Sequence, residues 1–332
     1  MVDLSITFLG TAASAPSARR GTAATLIARG GERLLVDCGE GTQRQLLRSG
    51  HGLVDLDTIL LTHLHADHIL GLPGLLKSYG LRAREREILI VGPTGTKTFL
   101  DRLAPVIGRL PFRMSVEEWR PADELGIEGG AIAAFATEHG VPSIGFALVE
   151  DRRPGAFDIA RAKALGVPEG PEFGRLQRGE VVETSGGPVH PEQVLGSPRL
   201  GRRIVLTGDT EPCGATIDAA RGADLLVHEA TFVEADRPRA DKTGHSTARD
   251  AALVAVAAKV SLLALTHISP RNLVRDIRSE AEAAFSPTLI PRDFDRIEIP
   301  YPERGEPRHV PWTSERRASL PTEVEESSQE HL

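Results

Sequence analysis

Short apolar stretches, each ending in glycine or polar residues, recur along the chain and predict β-strands. Three apolar residues in a row at 59–61 indicate a buried strand. The stretch 25–39 is typical of a β-hairpin, because Gly30-Gly31 supplies the turn conformations that other residues resist. The other predicted strands are SITFLGT at 5–11, ILIVGP at 88–93, IAAFATEH at 132–139, SIGFALVE at 143–150, RRIVLTGD at 202–209, DLLVHEAT at 224–231 and LLALTHIS at 262–269.

Helical patterns alternate with these strands. They cover 41–50 and 67–81, begin again near Thr247, and return in a last amphipathic segment after the final strand. Strands followed by a helix, then more strands and another helix, predict an α+β fold. In such a fold two sheets pack together and the helices lie outside them.

The segment 152–196 breaks this order, because it is rich in glycine, proline and arginine and shows no sustained periodicity. A long irregular stretch inside a compact domain is usually functional or disordered. We therefore predict one domain over residues 1–305 that carries 152–196 as an insertion. Residues 306–332 are predicted to form a disordered tail. The acidic residues of that tail include Glu323, Glu325, Glu326 and Glu330.

Composition sets limits on these predictions. The chain has 332 residues, of which 40% are hydrophobic and 26% charged, and this is ordinary for a soluble protein. A chain of this length buries a sizeable core unaided, so any metal is expected to serve chemistry. Two cysteines, Cys38 and Cys213, are too few for a disulfide framework and indicate a reducing compartment. Because no apolar leader or membrane-length run occurs, we expect a cytoplasmic protein without a membrane partner.

The formal net charge of −7 argues mildly against a nucleic-acid partner, since phosphate binding usually leaves a basic footprint. Net charge is, however, a sum over the whole surface, and an RNA-binding face can be local. Charge alone therefore does not exclude RNA.

A histidine-rich segment carries the clearest chemical signal. It reads HLHADH over 63–68, directly after the buried strand and before a helix. His63 and His65 are two residues apart in extended chain, so their side chains point the same way. Asp67 and His68 follow at the turn into the helix. Three imidazoles and a carboxylate suit zinc and tolerate manganese. An HxH pattern by itself would more often be a coincidence on a solvated loop.

Further metal-competent residues end later strands. Each of them alone would be read as an ordinary strand-capping residue, but together they supply enough ligands for two ions. Two ions held about 3.5–4 Å apart can stabilise the attacking and the leaving oxygen of phosphodiester hydrolysis and activate a water. The predicted ligands are His63, His65 and His139 for one ion, Asp67, His68 and His267 for the other, and Asp209 as the bridge.

This pattern of HxHxDH with later His, Asp and His resembles the metallo-β-lactamase superfamily. The resemblance implies a four-layered αββα sandwich with the metals at the sheet edges. The turn DCGEG at 37–41 is similar to an Asp-x-Gly turn of that superfamily. Asp37 in this turn either supports the metal site from behind or is a simple turn aspartate.

Two short motifs resemble the ribonuclease Z family more specifically. They are HEAT at 228–231 and HST at 245–247. The resemblance implies that Glu229 orients His245 and that His245 protonates the leaving oxygen, while Asp67 acts on the attacking water. An additional reading is that Ser246 or Thr247 caps the helix that follows.

The segment 152–196 resembles the flexible tRNA-binding arm of short-form members, which usually work as homodimers. The first loop, GTAASAPSARRG at 10–21, resembles the family's PxKxRN loop only in part, because Ala18 and Gly21 replace its lysine and asparagine. Contacts from arginine side chains to phosphate groups would position the RNA without reading its sequence. The predicted substrate-binding residues are Arg20, Arg175, Arg178 and Arg271.

The resemblance therefore implies an endoribonuclease that removes the 3′ trailer from precursor tRNA and leaves a 3′-hydroxyl on the tRNA. The cofactors it implies are two Zn²⁺ ions per subunit, with Mn²⁺ as a substitute. One alternative is a metal-dependent phosphodiesterase of the same fold that acts on small phosphodiesters. Another is a metal-binding RNA chaperone or structural protein without turnover, which the intact ligand set disfavours.

Overall fold

The structure, a computed structural model, describes residues 3–53 and 56–313. The strands are β1 (Leu4–Gly10), β2 (Ala24–Arg29), β3 (Glu32–Val36), β4 (Leu56–Leu60), β5 (Ile88–Gly92), β6 (Met114–Glu118), β7 (Glu124–Ile127), β8 (Gly130–Ala136), β9 (Ile144–Glu150), β10 (Val182–Thr184), β11 (Gly187–Val189), β12 (Arg203–Leu206), β13 (Leu225–Glu229), β14 (Leu263–Thr266), β15 (Thr288–Leu289), β16 (Arg296–Glu298) and β17 (Arg308–Val310). The helices are α1 (Thr42–Arg48), α2 (Ala66–Ile69), α3 (Leu72–Leu81), α4 (Thr96–Ile107), α5 (Ile159–Ala164), α6 (Pro171–Gln177), α7 (Gly214–Ala220), α8 (Arg237–Thr243), α9 (Ala248–Ala258) and α10 (Val274–Glu282).

Most of these strands belong to two sheets. Among the described residues, the first sheet has the order β17-β16-β1-β2-β3-β4-β5-β6, and the second has the order β15-β14-β13-β12-β9-β8-β7. The hairpin predicted around Gly30-Gly31 is present, with Arg29 of β2 opposite Glu32 of β3. Pairing is parallel from β3 to β6 and from β12 to β15. Parallel strands bring their carboxyl ends to one edge of a sheet, where ligand sites usually form.

Apolar residues on both faces of the first sheet explain how the layers stack. Ile59 of β4 belongs to a buried cluster that includes Leu46 of α1 and Leu76 of α3. The next residue, Leu60, points to the opposite face and is also fully buried. Helices therefore cover one face of this sheet and the second sheet covers the other. Since α9 packs on β13 and β14 of the second sheet, the predicted αββα sandwich is confirmed.

The single helix predicted over 67–81 is wrong in one respect, because the structure has two helices there, α2 and α3, separated at Leu70 and Gly71. A Cβ on Gly71 would lie only 2.0 Å from the carbonyl oxygen of Gly39. The Gly71 amide also donates a hydrogen bond of 2.8 Å to the Cys38 carbonyl. This close backbone contact holds the start of the helical segment against the 37–39 turn.

A second compact unit comprises Ile127–Ala131 and Val149–Gly201 and includes the predicted insertion 152–196. Where the sequence shows no periodicity, this unit contains α5, α6 and the β10–β11 hairpin. Each of these elements has at most seven residues, which is too short to produce a clear hydrophobic period. The unit has its own apolar cluster of buried residues. They are Ala162, Val167, Leu176, Val182, Val189 and Val194.

The fold continues beyond the predicted domain end at residue 305. Strand β17 pairs antiparallel with β16, so His309 lies opposite Ile297. The ring of Trp312 lies 5.3 Å from that of Phe294. These contacts correct the predicted start of the tail by at least seven residues. Residues 314–332, the rest of the predicted tail, lie outside the described part of the chain. No helix within the described part is long and apolar enough to cross a membrane.

Candidate metal centre

Four strands of the sandwich end in polar residues that meet at one place. His63 follows β4, His139 follows β8, Asp209 follows β12 and His267 follows β14. These four side chains are buried, whereas His65 is exposed. The structure therefore brings together the residues that the sequence predicts as metal ligands, although they are up to 204 positions apart in the chain.

The first group of predicted ligands is formed by three histidine nitrogens. His63 Nε2 and His139 Nε2 each lie 3.1 Å from His65 Nδ1. Two nitrogens bound tetrahedrally to one zinc-sized ion at about 2.0–2.1 Å would lie roughly 3.3 Å apart. The spacing of the three nitrogens is therefore close to that of ligands around a single ion.

The second group consists of Asp67, His68 and His267. Asp67 Oδ2 lies 3.2 Å from His267 Nε2 and 3.8 Å from His68 Nε2. Asp209 stands between the groups, with Oδ2 at 3.4 Å from the Nε2 atoms of both His68 and His267. The same oxygen lies 3.6 Å from His63 Nε2 and 3.7 Å from His139 Nε2. Asp209 is therefore placed to bridge the two groups.

Buried polar atoms without partners provide a test of whether these residues fit a metal. Among the described residues, His68 Nε2 and Asp209 Oδ1 are buried and make no hydrogen bond. Buried polar atoms are rarely left in that state, since it costs free energy. His139 Nδ1 must donate to the Gly244 carbonyl at 2.6 Å, so its Nε2 presents a lone pair to the centre. A divalent cation would accept the lone pairs of His68 Nε2 and His139 Nε2, so the residues fit one.

The electrostatics of the centre favour a bound cation. Burial opposes ionisation of Asp209, but His267, His68 and His63 outweigh it and hold the pKa of Asp209 well below its usual range. Burial likewise opposes a charge on His68, yet Asp209 and Asp37 raise its pKa well above the ordinary value. Burial and His68 lower the pKa of His63 to about 2, so that its imidazole is neutral. The carboxylates therefore attract positive charge, which a metal ion can supply in place of a proton.

Asp37 lies directly behind one predicted ligand. Its Oδ2 accepts a hydrogen bond of 2.7 Å from His68 Nδ1, and its Oδ1 accepts one of 2.8 Å from the Thr62 amide. Asp37 is buried and has a φ of +60°, a backbone conformation that aspartate and asparagine tolerate better than most residues. Of the two readings of Asp37, support of the site from behind is the one its contacts favour.

We expect Asp37→Asn to lower metal affinity about 10- to 100-fold, the usual cost of losing a partner behind a metal ligand. Asparagine preserves the shape and the positive φ. Its amide, however, cannot accept from both His68 and Thr62, so one buried donor loses its acceptor. Titration with zinc in competition with a chelator measures the effect. Asp101→Asn, at an exposed aspartate of α4, should leave the affinity unchanged.

The predicted proton-transfer pair lies beside the second ligand group. Glu229 Oε1 is 2.7 Å from His245 Nδ1, and Glu229 is fully buried at the end of β13. Burial opposes the charge on His245, but the Glu229 carboxylate outweighs it and raises the pKa of His245 to about 9. Thr247 also caps α9, with Asp250 completing a capping box. The segment 245–247 thus both caps a helix and places a histidine at the centre.

Thr231 has a position that the sequence did not lead us to single out. Its hydroxyl donates to Glu229 Oε2 at 2.5 Å and accepts from His267 Nδ1 at 2.8 Å. Thr231 therefore joins the proton-transfer pair to a metal ligand. Its place in the HEAT motif is the sequence signal that could have indicated this contact.

The four arginines predicted to bind substrate have different surroundings. Arg20 is half-buried, and its Nη1 donates to Thr11 Oγ1 at 2.6 Å and to the Pro291 carbonyl at 2.8 Å. Arg20 is therefore occupied as an anchor of the first loop, which differs from the expected substrate contact. Arg271 is exposed four residues after His267, and its substrate contact stays a prediction.

Arg175 and Arg178 belong to the second compact unit, where Arg175 is partly exposed and Arg178 is exposed. Arg175 pairs with Glu172 and Glu180 at 3.0 Å, and Arg178 pairs with Glu180 at the same distance. Exposed pairs of this kind are weak and exchange readily. Binding of RNA through these arginines stays a prediction, and it would have to compete with the two glutamates.

Comparison with known proteins gives a consistent result. Residues 18–267 match the sequence profile of the Metallo-beta-lactamase superfamily. The chain is 43% identical over 302 residues to "Ribonuclease Z" of Methanosarcina acetivorans, a match that covers 90% of this chain and 99% of the relative. It is 46% identical over 306 residues to "Ribonuclease Z" of Haloferax volcanii, covering 90% and 96% of the two chains.

A solved structure agrees with these sequence matches. The crystal structure of human tRNase Z, short form, superposes with a TM-score of 0.65 at 30% sequence identity. The match covers 89% of this chain and 99% of the human chain. Similarity therefore extends over nearly the whole described fold and over the full length of these relatives.

Proposed function

The chain belongs to the ribonuclease Z family of the metallo-β-lactamase superfamily, and we propose that its centre removes the 3′ trailer of precursor tRNA by two-metal phosphodiester hydrolysis. One observation carries this proposal. Asp209 Oδ2 lies within 3.4–3.7 Å of four histidine nitrogens, between two ligand groups, and the Glu229–His245 pair stands beside them. This arrangement supplies both ligands for a pair of ions and a proton donor for a leaving group.

Zinc is the ion that we assign to both groups. Five imidazoles and two carboxylates form a borderline-soft donor set without cysteine, which suits zinc and also accommodates manganese. When bound, the two ions polarise the scissile phosphate and activate a water for attack. The ligands are His63, His65 and His139 for one ion, Asp67, His68 and His267 for the other, and Asp209 for both.

The protein's own residues then handle the protons. Asp67 accepts the proton of the attacking water and holds the water in line with the scissile bond. A new phosphorus–oxygen bond forms to the water oxygen as the bond to the tRNA 3′ oxygen breaks. His245 donates its proton to that departing oxygen, and Glu229 holds the imidazole in the orientation that allows this transfer. The products are a tRNA with a 3′-hydroxyl and a trailer with a 5′-phosphate.

Competition between substrates distinguishes the proposed function from the alternative, hydrolysis of small phosphodiesters. We expect purified protein to hydrolyse bis(p-nitrophenyl) phosphate slowly, and precursor tRNA to inhibit that reaction competitively at micromolar concentration or below. A single shared site and a preference for tRNA explain both results. Inhibition that is absent, or equal to that of a generic single-stranded RNA, would favour the alternative.

Removal of metal provides a further prediction. Dialysis against a chelator should abolish cleavage of precursor tRNA, and added Zn²⁺ or Mn²⁺ should restore it, because both ions accept this donor set. Elemental analysis of the zinc-restored protein should give two ions per chain. One ion per chain at full activity would contradict the two-metal proposal.

The resemblance to short-form members also leads us to propose a homodimer. In a dimer, the second compact unit of one subunit would hold the tRNA that the other subunit cuts. Analytical ultracentrifugation at micromolar concentration tests the assembly. A mixing experiment tests whether one subunit holds the tRNA that the other cuts. A variant without metal ligands is mixed with one that carries Arg175→Glu and Arg178→Glu. Each variant alone should be inactive, and the mixed dimer should regain activity.

A further inference from the structure

The loop 12–20, which connects β1 to β2, reaches the candidate active site through its backbone. The amide of Ser14 donates a hydrogen bond of 2.7 Å to Asp67 Oδ2. This is the same carboxylate oxygen that lies 3.2 Å from His267 Nε2. Residues 14–19 are otherwise exposed, so a surface loop supplies a hydrogen bond to the aspartate of the centre.

Ser14 makes this contact in a conformation that side chains disfavour. Its φ is +60°, in the left-handed region that L-residues other than glycine seldom adopt. Its side chain is exposed, and the group that contacts Asp67 is its backbone amide. The backbone at Ser14 is thus held in place by something other than the side chain.

A buried aspartate holds both ends of the loop. Asp293 Oδ1 accepts from the Thr11 hydroxyl at 2.8 Å, and Asp293 Oδ2 accepts from the Gly21 amide at 2.6 Å. Gln45 donates to the same Oδ2 at 2.9 Å. Arg20 adds its own bond to Thr11. The loop is therefore closed at its base by a buried network.

The start of the loop is also joined to the strand end that carries His267. The Ile268 amide donates to the Thr11 carbonyl at 2.9 Å, and the Ala13 amide donates to the Ile268 carbonyl at 3.2 Å. His267 itself has a φ of +56°. The loop is thus joined by backbone hydrogen bonds to Ile268, next to His267, and by the Ser14 amide to the Asp67 side chain.

We propose that loop 12–20 is a positioning element. In it the Ser14 amide fixes the Asp67 carboxylate in the orientation that accepts the proton of the attacking water. The inference rests on the proposed catalytic function of Asp67. Asp293, Arg20 and Thr11 hold the loop base, and the positive φ of Ser14 turns its amide toward the carboxylate. A movement of the exposed residues 14–19 would therefore change the orientation of Asp67 and the rate of the chemical step.

A pair of substitutions at one position tests this coupling. Ser14→Val places a β-branched side chain at a positive φ, where it is strongly disfavoured, so the backbone should rotate and withdraw the amide. Ser14→Gly is the conservative variant, because glycine accepts the same φ and retains the amide. Ala15→Val adds the same side chain one position along, where φ is not positive, and controls for bulk on the exposed loop.

We expect Ser14→Val to lower kcat on precursor tRNA about 10- to 100-fold, the size usual for a hydrogen bond to a charged group, with KM within about twofold. Ser14→Gly and Ala15→Val should stay close to wild type, and the melting temperature of all three should change little. Equal kcat in Ser14→Val and Ser14→Gly, or an effect on KM or melting alone, would overturn the inference.

Metal release distinguishes failure of this inference from failure of the proposed function. If wild-type protein does not cut precursor tRNA, the proposed function fails, but Asp67 remains a predicted metal ligand. Ser14→Val should then still lose zinc to a chelator several times faster than Ser14→Gly. Equal rates of zinc loss in that case would overturn the coupling as well.

Discussion

Replacing His245 with alanine is expected to lower kcat for precursor tRNA about 10²- to 10⁴-fold, the usual contribution of a positioned general acid. The ring of His245 is held by the fully buried carboxylate of Glu229, which lies 2.7 Å from its Nδ1. Without it, the tRNA 3′ oxygen must leave as an alkoxide or take its proton from solvent. Single-turnover cleavage at saturating enzyme measures the chemical step directly.

A substrate with a better leaving group isolates this effect. Bis(p-nitrophenyl) phosphate releases p-nitrophenolate, which departs without a proton, so His245→Ala should slow its hydrolysis by less than about tenfold. Metal content should equal that of wild type, since His245 is outside the two predicted ligand groups. Equal losses on both substrates would contradict proton donation by His245 and indicate a contribution to metal binding instead.

Asp209→Asn is expected to have the second large effect, because it removes the charge shared by both ligand groups while keeping the shape of the side chain. Loss of a partner behind a ligand costs about 10- to 100-fold in metal affinity, and loss of the bridging ligand should exceed this range. We expect less than two zinc ions per chain after dialysis. Cleavage of precursor tRNA should fall by more than about 100-fold.

The measurements for Asp209→Asn are elemental analysis and cleavage of precursor tRNA, with circular dichroism to verify the fold. Asp218→Asn is the matched control, since Asp218 lies on α7 of the same segment and its side chain is exposed. Two retained zinc ions with unchanged affinity in Asp209→Asn would exclude a bridging position for this carboxylate.

The residues of the candidate metal centre could be singled out from the sequence because they follow apolar strands or, like Asp67 and His68, lie in the short helix after one. Strand ends in such a sandwich converge at sheet edges, so the positions of His139 and His267 became meaningful once the strands were identified. The sandwich itself followed from the order of strands and helices. These signals are local in the chain, and the fold brings them together without further information.

Other features depend on contacts between distant segments and gave no local signal. The hydrogen bond from Ser14 to Asp67 spans 53 positions, and the inward turn of Arg20 depends on Pro291 and Thr11. The helix break at Gly71 is fixed by the Gly39 carbonyl. Short elements in the second compact unit and the last strand, β17, escaped notice because each has too few residues to show a period.

Cleavage of an end-labelled precursor tRNA by purified protein tests two-metal 3′ processing most directly. The prediction is a single cut beside the discriminator nucleotide that leaves a 3′-hydroxyl on the tRNA and a 5′-phosphate on the trailer. The cut should disappear with Asp67→Ala and with a chelator. An RNA that stays intact while the protein binds metal and hydrolyses a small phosphodiester would contradict the proposal, as would a cut that survives both controls.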